Sequence, residues 1–147
     1  MANLNSFHVH IQTNNLPNSR TDGDVYVGIC GREFHCNATT VGNDFENNLN
    51  TIYTFGTGSN VEKAANNDPR NPQLSVEDVD RFPVYIRFEQ DLTDSDGGEW
   101  NLRSALLHLN QNNVDGYDRQ LGPAGIWLGR TSGAYLYLKK RTSVVNP

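Results

Sequence analysis

Carboxylates in this chain gather in three short stretches: Asp22 with Asp24, Asp44 and Glu46 beside Asn43, and Glu89, Asp91, Asp94 and Asp96 together. Crowded carboxylates repel one another and take up protons unless a cation is shared among them. Calcium is the usual solution, binding roughly six to eight oxygens from carboxylates, amides and backbone carbonyls at about 2.3–2.6 Å. Gly23, Gly42 and Gly97 fall inside these stretches and let the backbone turn its carbonyls inward. None of the stretches has EF-hand spacing. Asp and Asn are also ordinary turn formers, so the same residues fit plain surface loops.

Other chemistries are weaker. His8 and His10 share one face of a strand, and with His35 they form a transition-metal candidate set, against the simpler reading of exposed positions on an edge strand. Cys30 and Cys36 flank Gly31, so they either join across a hairpin in an oxidising compartment or remain two thiols. Cys36 with His35 or His108 lacks a third catalytic residue and an oxyanion motif, and no carboxylate pair stands out for glycoside hydrolysis. The expectation is a protein without catalytic residues. Seventeen acidic residues against 12 basic, a net charge of −5, disfavour nucleic acid. The one basic cluster, Lys139, Lys140 and Arg141, reads as a solvated strand end.

The elements that must position these groups read as strands. Phe7, Val9 and Ile11 alternate with His8, His10 and Gln12, and Val25, Val27 and Ile29 alternate with Tyr26 and Gly28. Further strands are expected at Phe34 to Thr40, Thr51 to Phe55, Val84 to Phe88 and Trp100 to Leu109, the last an interior strand. Ile126 to Leu128 and Ala134 to Leu138 flank the turn Arg130 to Gly133 as a hairpin. Asn110 to Gly125 reads as a loop. Ser59 to Pro72 reads as a long connection with one helical turn near Val61 to Ala65, and Ser75 caps another turn ahead of Pro83. The sum is one all-β domain over residues 1–147, a two-sheet antiparallel β-sandwich of about eight strands. No apolar run approaches a membrane span. The polar start, Met1 to Ser6, lacks the regions of a secretory leader, so the chain is expected to be soluble, cytoplasmic or peripheral to a membrane, or given without its leader. With strands alternating in direction, the three acidic loops open at one end.

Three segments also resemble a known family. Thr21-Asp22-Gly23-Asp24-Val25, then Gly42-Asn43-Asp44-Phe45-Glu46, then Asn50 to Phe55 resemble the PLAT, or lipoxygenase-homology, domain, clearest over residues 20–55. Val79 to Glu89 and Gly98 to Leu102 resemble its later acidic loop and tryptophan strand. Leu121 to Leu128 resembles the family's Gly-Pro-Gly-Trp stretch too, so Trp100 and Trp127 compete for one position. Arg20 stands where the family usually has glycine. The resemblance implies an antiparallel sandwich that binds calcium through end loops and docks on membrane lipid or a protein partner. Carried over, the ligands are Asp22, Asn43, Asp44 and Glu46, with Asp91, Asp94 or Asp96 from the third loop. Trp100 and Trp127 are candidate surface anchors, each weighed against a core role. The rival class is a carbohydrate-binding sandwich in which Tyr117, Trp127 or Tyr135 stacks on a sugar ring. A third reading is a toxin-like or structural subunit of an assembly.

Overall fold

The computed structural model describes residues 2–40, 42–91, 93, 98–110 and 112–141, with backbone alone for 112–115. The chain is all-β, and its strands are β1 (Asn3–Leu4), β2 (Ser6–Thr13), β3 (Asp24–Ile29), β4 (Arg32–His35), β5 (Asn50–Gly56), β6 (Leu74–Ser75), β7 (Tyr85–Glu89), β8 (Trp100–Leu109), β9 (Asn112–Gln120), β10 (Ile126–Leu128), β11 (Tyr135–Tyr137) and β12 (Lys139–Lys140). All pairings are antiparallel. The larger sheet runs β12-β9-β8-β2-β5, with β10 also on β8; the smaller runs β11-β7-β3-β4; β1 and β6 form a short ribbon.

Alternation along the strands explains how the two sheets meet. Phe7, Val9 and Ile11 of β2 are buried, as are Val25 and Val27 of β3 and Ile86 and Phe88 of β7, while the residues between them are turned outward and partly exposed. Phe7 stacks on Phe55 from its own sheet at 4.7 Å and meets Phe34 from the other edge-on at 4.9 Å, joining the layers through aromatic contact. Trp100 is fully buried between Phe45 (5.3 Å) and Phe88 (5.7 Å), and its indole N–H donates to the Thr13 hydroxyl at 2.9 Å.

Several expectations held and several need correction. Ser75 does cap a short turn, accepting from the Glu77 N–H ahead of the 3₁₀ helix Val76–Asp80, and the turn near Val61 to Ala65 is the 3₁₀ helix Ala64–Asn66. The segment Asn110 to Gly125, expected as a loop, contains the nine-residue strand β9. Its Asn, Asp and Gly residues have low strand propensity, but β8 pairs along it and β12 adds pairing at Tyr117 and Asp118. The turn before Gly133 exists, closed by mutual Gly129 and Gly133 backbone bonds of 2.9 and 3.1 Å. The strands it joins do not form a hairpin, because β10 pairs with β8 in one sheet and β11 with β7 in the other. β2 is not an edge strand either; it lies between β8 and β5. Both cysteines are free thiols, which resolves the open alternative. Burial pushes Cys30 up to about 11 and Cys36 well above its ordinary value, with Asp78 and Asp44 respectively adding to the shift. Neither is an activated nucleophile.

Candidate functional site

Strand register decides where the acidic loops lie. Asp24 at the start of β3 pairs with Glu89 at the end of β7, and His35 at the end of β4 pairs with Tyr26. The connections into β3, out of β4 and out of β7 therefore open at one rim of the sandwich. Gly23 makes the approach possible, since a β-carbon there would come within 2.6 Å of the Glu89 carbonyl oxygen and of the Phe88 ring. The first two loops are tied by the Thr21 N–H donating to the Phe45 carbonyl at 3.2 Å. Phe45 itself packs on Trp100, so the rim stands directly on the core.

Asp22, Asp24, Asn43 and Asp44 line one open cleft of about 320 Å³, together with His35, Cys36 and Asn37. Asp44 is its most enclosed acid. Its Oδ2 accepts from the Ala38 N–H at 2.8 Å and from the Tyr53 hydroxyl at 3.1 Å. Burial raises its pKa above the ordinary carboxylate value, and the bonds from Ala38 and Tyr53 and the nearby His35 oppose that rise in part. Asp24 contacts His35 Nε2 at 3.1 Å, and the His35 ring stacks on Tyr26 at 4.9 Å. This His35–Asp24 pair at the cleft was not anticipated. The cross-strand positions that create it follow from register, which residue types alone do not supply.

The remaining sequence-derived candidates separate. Glu46 is not part of the cleft lining and faces Arg20 at 3.7 Å. Asp91 is exposed and accepts from the Thr93 N–H and hydroxyl at 2.9 and 2.8 Å, which lower its pKa. Asp94 and Asp96 lie outside the described residues. Trp100, a candidate anchor, is a core side chain with no exposed surface and cannot reach a partner. Trp127 is 37% exposed and pairs with Asn101 one step from the rim. Tyr117, a candidate sugar platform, is buried and bonded through its hydroxyl to Asp80, so it cannot stack on a ligand. Tyr135 is exposed beside a second, shallower cleft of about 410 Å³ that Arg87, Glu89, Gln90 and Arg130 also line.

The first cleft fits calcium by donor type, with hard carboxylate and amide oxygens close to backbone carbonyls. Its spacing is looser than a completed shell: among the described residues no three His, Cys, Asp or Glu side chains stand around a common point as a metal-holding group. Asp44 also makes a pH prediction. Its folded pKa is raised, so the folded chain holds this proton more tightly than the unfolded chain, and the stability it contributes is present at low pH and lost as pH rises through the folded value. In urea unfolding with chelator from about pH 4 to 7, Asp44→Asn is expected to gain stability relative to the wild type as pH rises. A difference that stays flat would show that this carboxyl is not desolvated.

No family model matches the sequence, and no curated protein matches it. Solved structures do. The alpha-toxin of a Clostridium perfringens avian strain superposes with a TM-score of 0.63 at 22% identity, over 93% of this chain and 32% of that one. Alpha-toxin from Clostridium absonum gives 0.61 at 22%, over 94% and 32%. Coral 8R-lipoxygenase, whose calcium activation is ascribed to a C2-like domain, gives 0.59 at 13%, over 92% and 17%. At these identities the likeness shows the fold alone, an antiparallel β-sandwich. The chain spans only 17–32% of the length of these three proteins.

Proposed function

We propose that this chain is a single non-catalytic module that binds calcium at the rim cleft and, through that rim, docks on an anionic membrane surface or a protein partner. The observation that carries the reading is the convergence of Asp22, Asn43 and Asp44, from two loops distant in sequence, into one cleft with Asp24. Asp22, Asn43 and Asp44 are the proposed ligands, with backbone carbonyls and solvent completing the shell and Glu46 supporting the loop through Arg20. Bound calcium supplies positive charge at one end of a chain whose net charge is −5, lifting the repulsion from anionic headgroups. Trp127, beside the rim and part exposed, is the proposed apolar anchor. The coral lipoxygenase's C2-like domain supports the reading by analogy of fold.

A sedimentation assay with phosphatidylserine/phosphatidylcholine vesicles tests it. The chain is expected to pellet with calcium and stay in the supernatant with chelator, and Trp127→Ala is expected to weaken pelleting at least several-fold. Calcium-independent pelleting, or none, together with no calcium heat by calorimetry, would overturn the reading. Calcium heat without pelleting would favour the protein partner.

A second reading has its own observation. Tyr135 and Tyr137 are 57% and 60% exposed on β11, with Tyr135 beside the cleft lined by Glu89, Gln90 and Arg130, an aromatic platform next to planar polar groups that suits a saccharide. Glycan-array binding lost in Tyr135→Ala but kept in Asp44→Ala would select it.

A further inference from the structure

We propose that His8, His10 and His108 form a second metal site, on the outer face of the larger sheet, which takes a borderline transition-metal ion of the zinc class. The chain has four histidines, and three of them meet here. His8 and His10 stand two apart on β2 and so share a face, and β8 places His108 directly opposite His8. The ring centroids lie 5.4 Å apart for His8 and His10, 5.2 Å for His8 and His108, and 6.2 Å for His10 and His108. With nitrogens at about 2.0–2.1 Å from a tetrahedral zinc ion, imidazole centres stand roughly 5.2 Å apart around it. Two of the three spacings match that value closely.

The donor nitrogens are not yet aimed at one centre. The adjustment needed is rotation of His8 and His10, both partly exposed, about side-chain torsions that turn over in picoseconds to nanoseconds. His108 is only 5% exposed and is held from behind by β9, where a β-carbon on Gly116 would come within 3.2 Å of its Nδ1. Burial lowers the pKa of both His8 and His10, and His108 and His10 lower His8 further. Nitrogen donors select against calcium, whereas the oxygen-lined rim cleft, with His35 and Asp24 on the smaller sheet, selects for it. The two sites are thus chemically distinct.

Calorimetric titration of the full chain with zinc chloride at neutral pH tests the assignment. One zinc per chain is expected, with affinity unchanged in Asp44→Ala and more than about tenfold weaker in His10→Ala, since losing even an outer-shell partner of a ligand costs about that much. Cobalt(II) in the wild type is expected to show the intense visible bands of a tetrahedral site, absent in His10→Ala. No zinc heat, equal affinity in His10→Ala, or loss of binding in Asp44→Ala would each overturn it. Imidazole NMR of the wild type gives a readout that needs no variant: one equivalent of zinc must shift the signals of His8, His10 and His108 and leave His35 in place, and any other pattern refutes the site.

Discussion

Asp44→Ala is expected to abolish calcium-dependent stabilisation of this chain. A ligand present at about 100 times its dissociation constant stabilises the folded state by about 2.7 kcal/mol. For a chain of this size that raises the melting temperature by on the order of 10 °C. Asp44 is the acid most committed to the cleft, with Oδ2 anchored by Ala38 and Tyr53, so the loop cannot offer a substitute carboxylate when it is removed. The comparison has to be made within each variant, with calcium against with chelator, because alanine also leaves the Ala38 N–H and the Tyr53 hydroxyl without their acceptor. Glu46→Gln, whose side chain faces Arg20 and not the cleft, is expected to keep most of the calcium response. Scanning fluorimetry decides the matter. A wild type that does not respond to calcium, or an Asp44→Ala variant that responds as fully as wild type, would remove the rim cleft from consideration.

Trp100→Ala is expected to be the most damaging single substitution in the rim region, lowering stability by about 3–5 kcal/mol, the range for removing a large buried aromatic. Trp100 has no exposed surface and packs on Phe45 of the rim loop before β5 and on Phe88 of β7. Truncation opens a cavity beneath the Phe45 loop and the end of β7 and leaves the Thr13 hydroxyl without the indole donor. Urea unfolding measures the loss. Trp127→Ala is the matched control, expected to change stability by less than about 0.5 kcal/mol while weakening vesicle binding. A loss below about 1 kcal/mol for Trp100→Ala would place this tryptophan outside the core.

Much of the fold was legible because burial imposes period-two alternation. The pattern of Phe7 to Gln12, of Val25 to Ile29 and of Val84 to Phe88 announces β2, β3 and β7, and the glycines and asparagines between them mark the turns. β9 was hidden because pairing with β8, and not its own residues, keeps it extended. The divergence of β10 and β11 was hidden for a related reason: turn chemistry at Gly129 to Gly133 reports that the chain reverses, not which sheet receives each arm. At the rim, antiparallel alternation was enough to gather the acidic loops at one end. Which oxygens enter the cleft was not legible, since Asp24 is placed by the register of β3 against β7 and Glu46 by its turn toward Arg20. The histidine face shows the same division. His8 and His10 were visible as a pair, but the third partner is His108 by strand register, and His35 belongs to the other sheet.

The lysine pair of β12 forms the outer border of the larger sheet, alongside β9, with Lys140 held at 2.8 Å from Asp80. Unprotected strand borders template the addition of further strands from other copies, and lysine is a common deterrent. The last short strand therefore governs shelf life and colloidal behaviour: trimming it is expected to uncover the backbone of β9 at Tyr117 and Asp118 and to offer it to other copies.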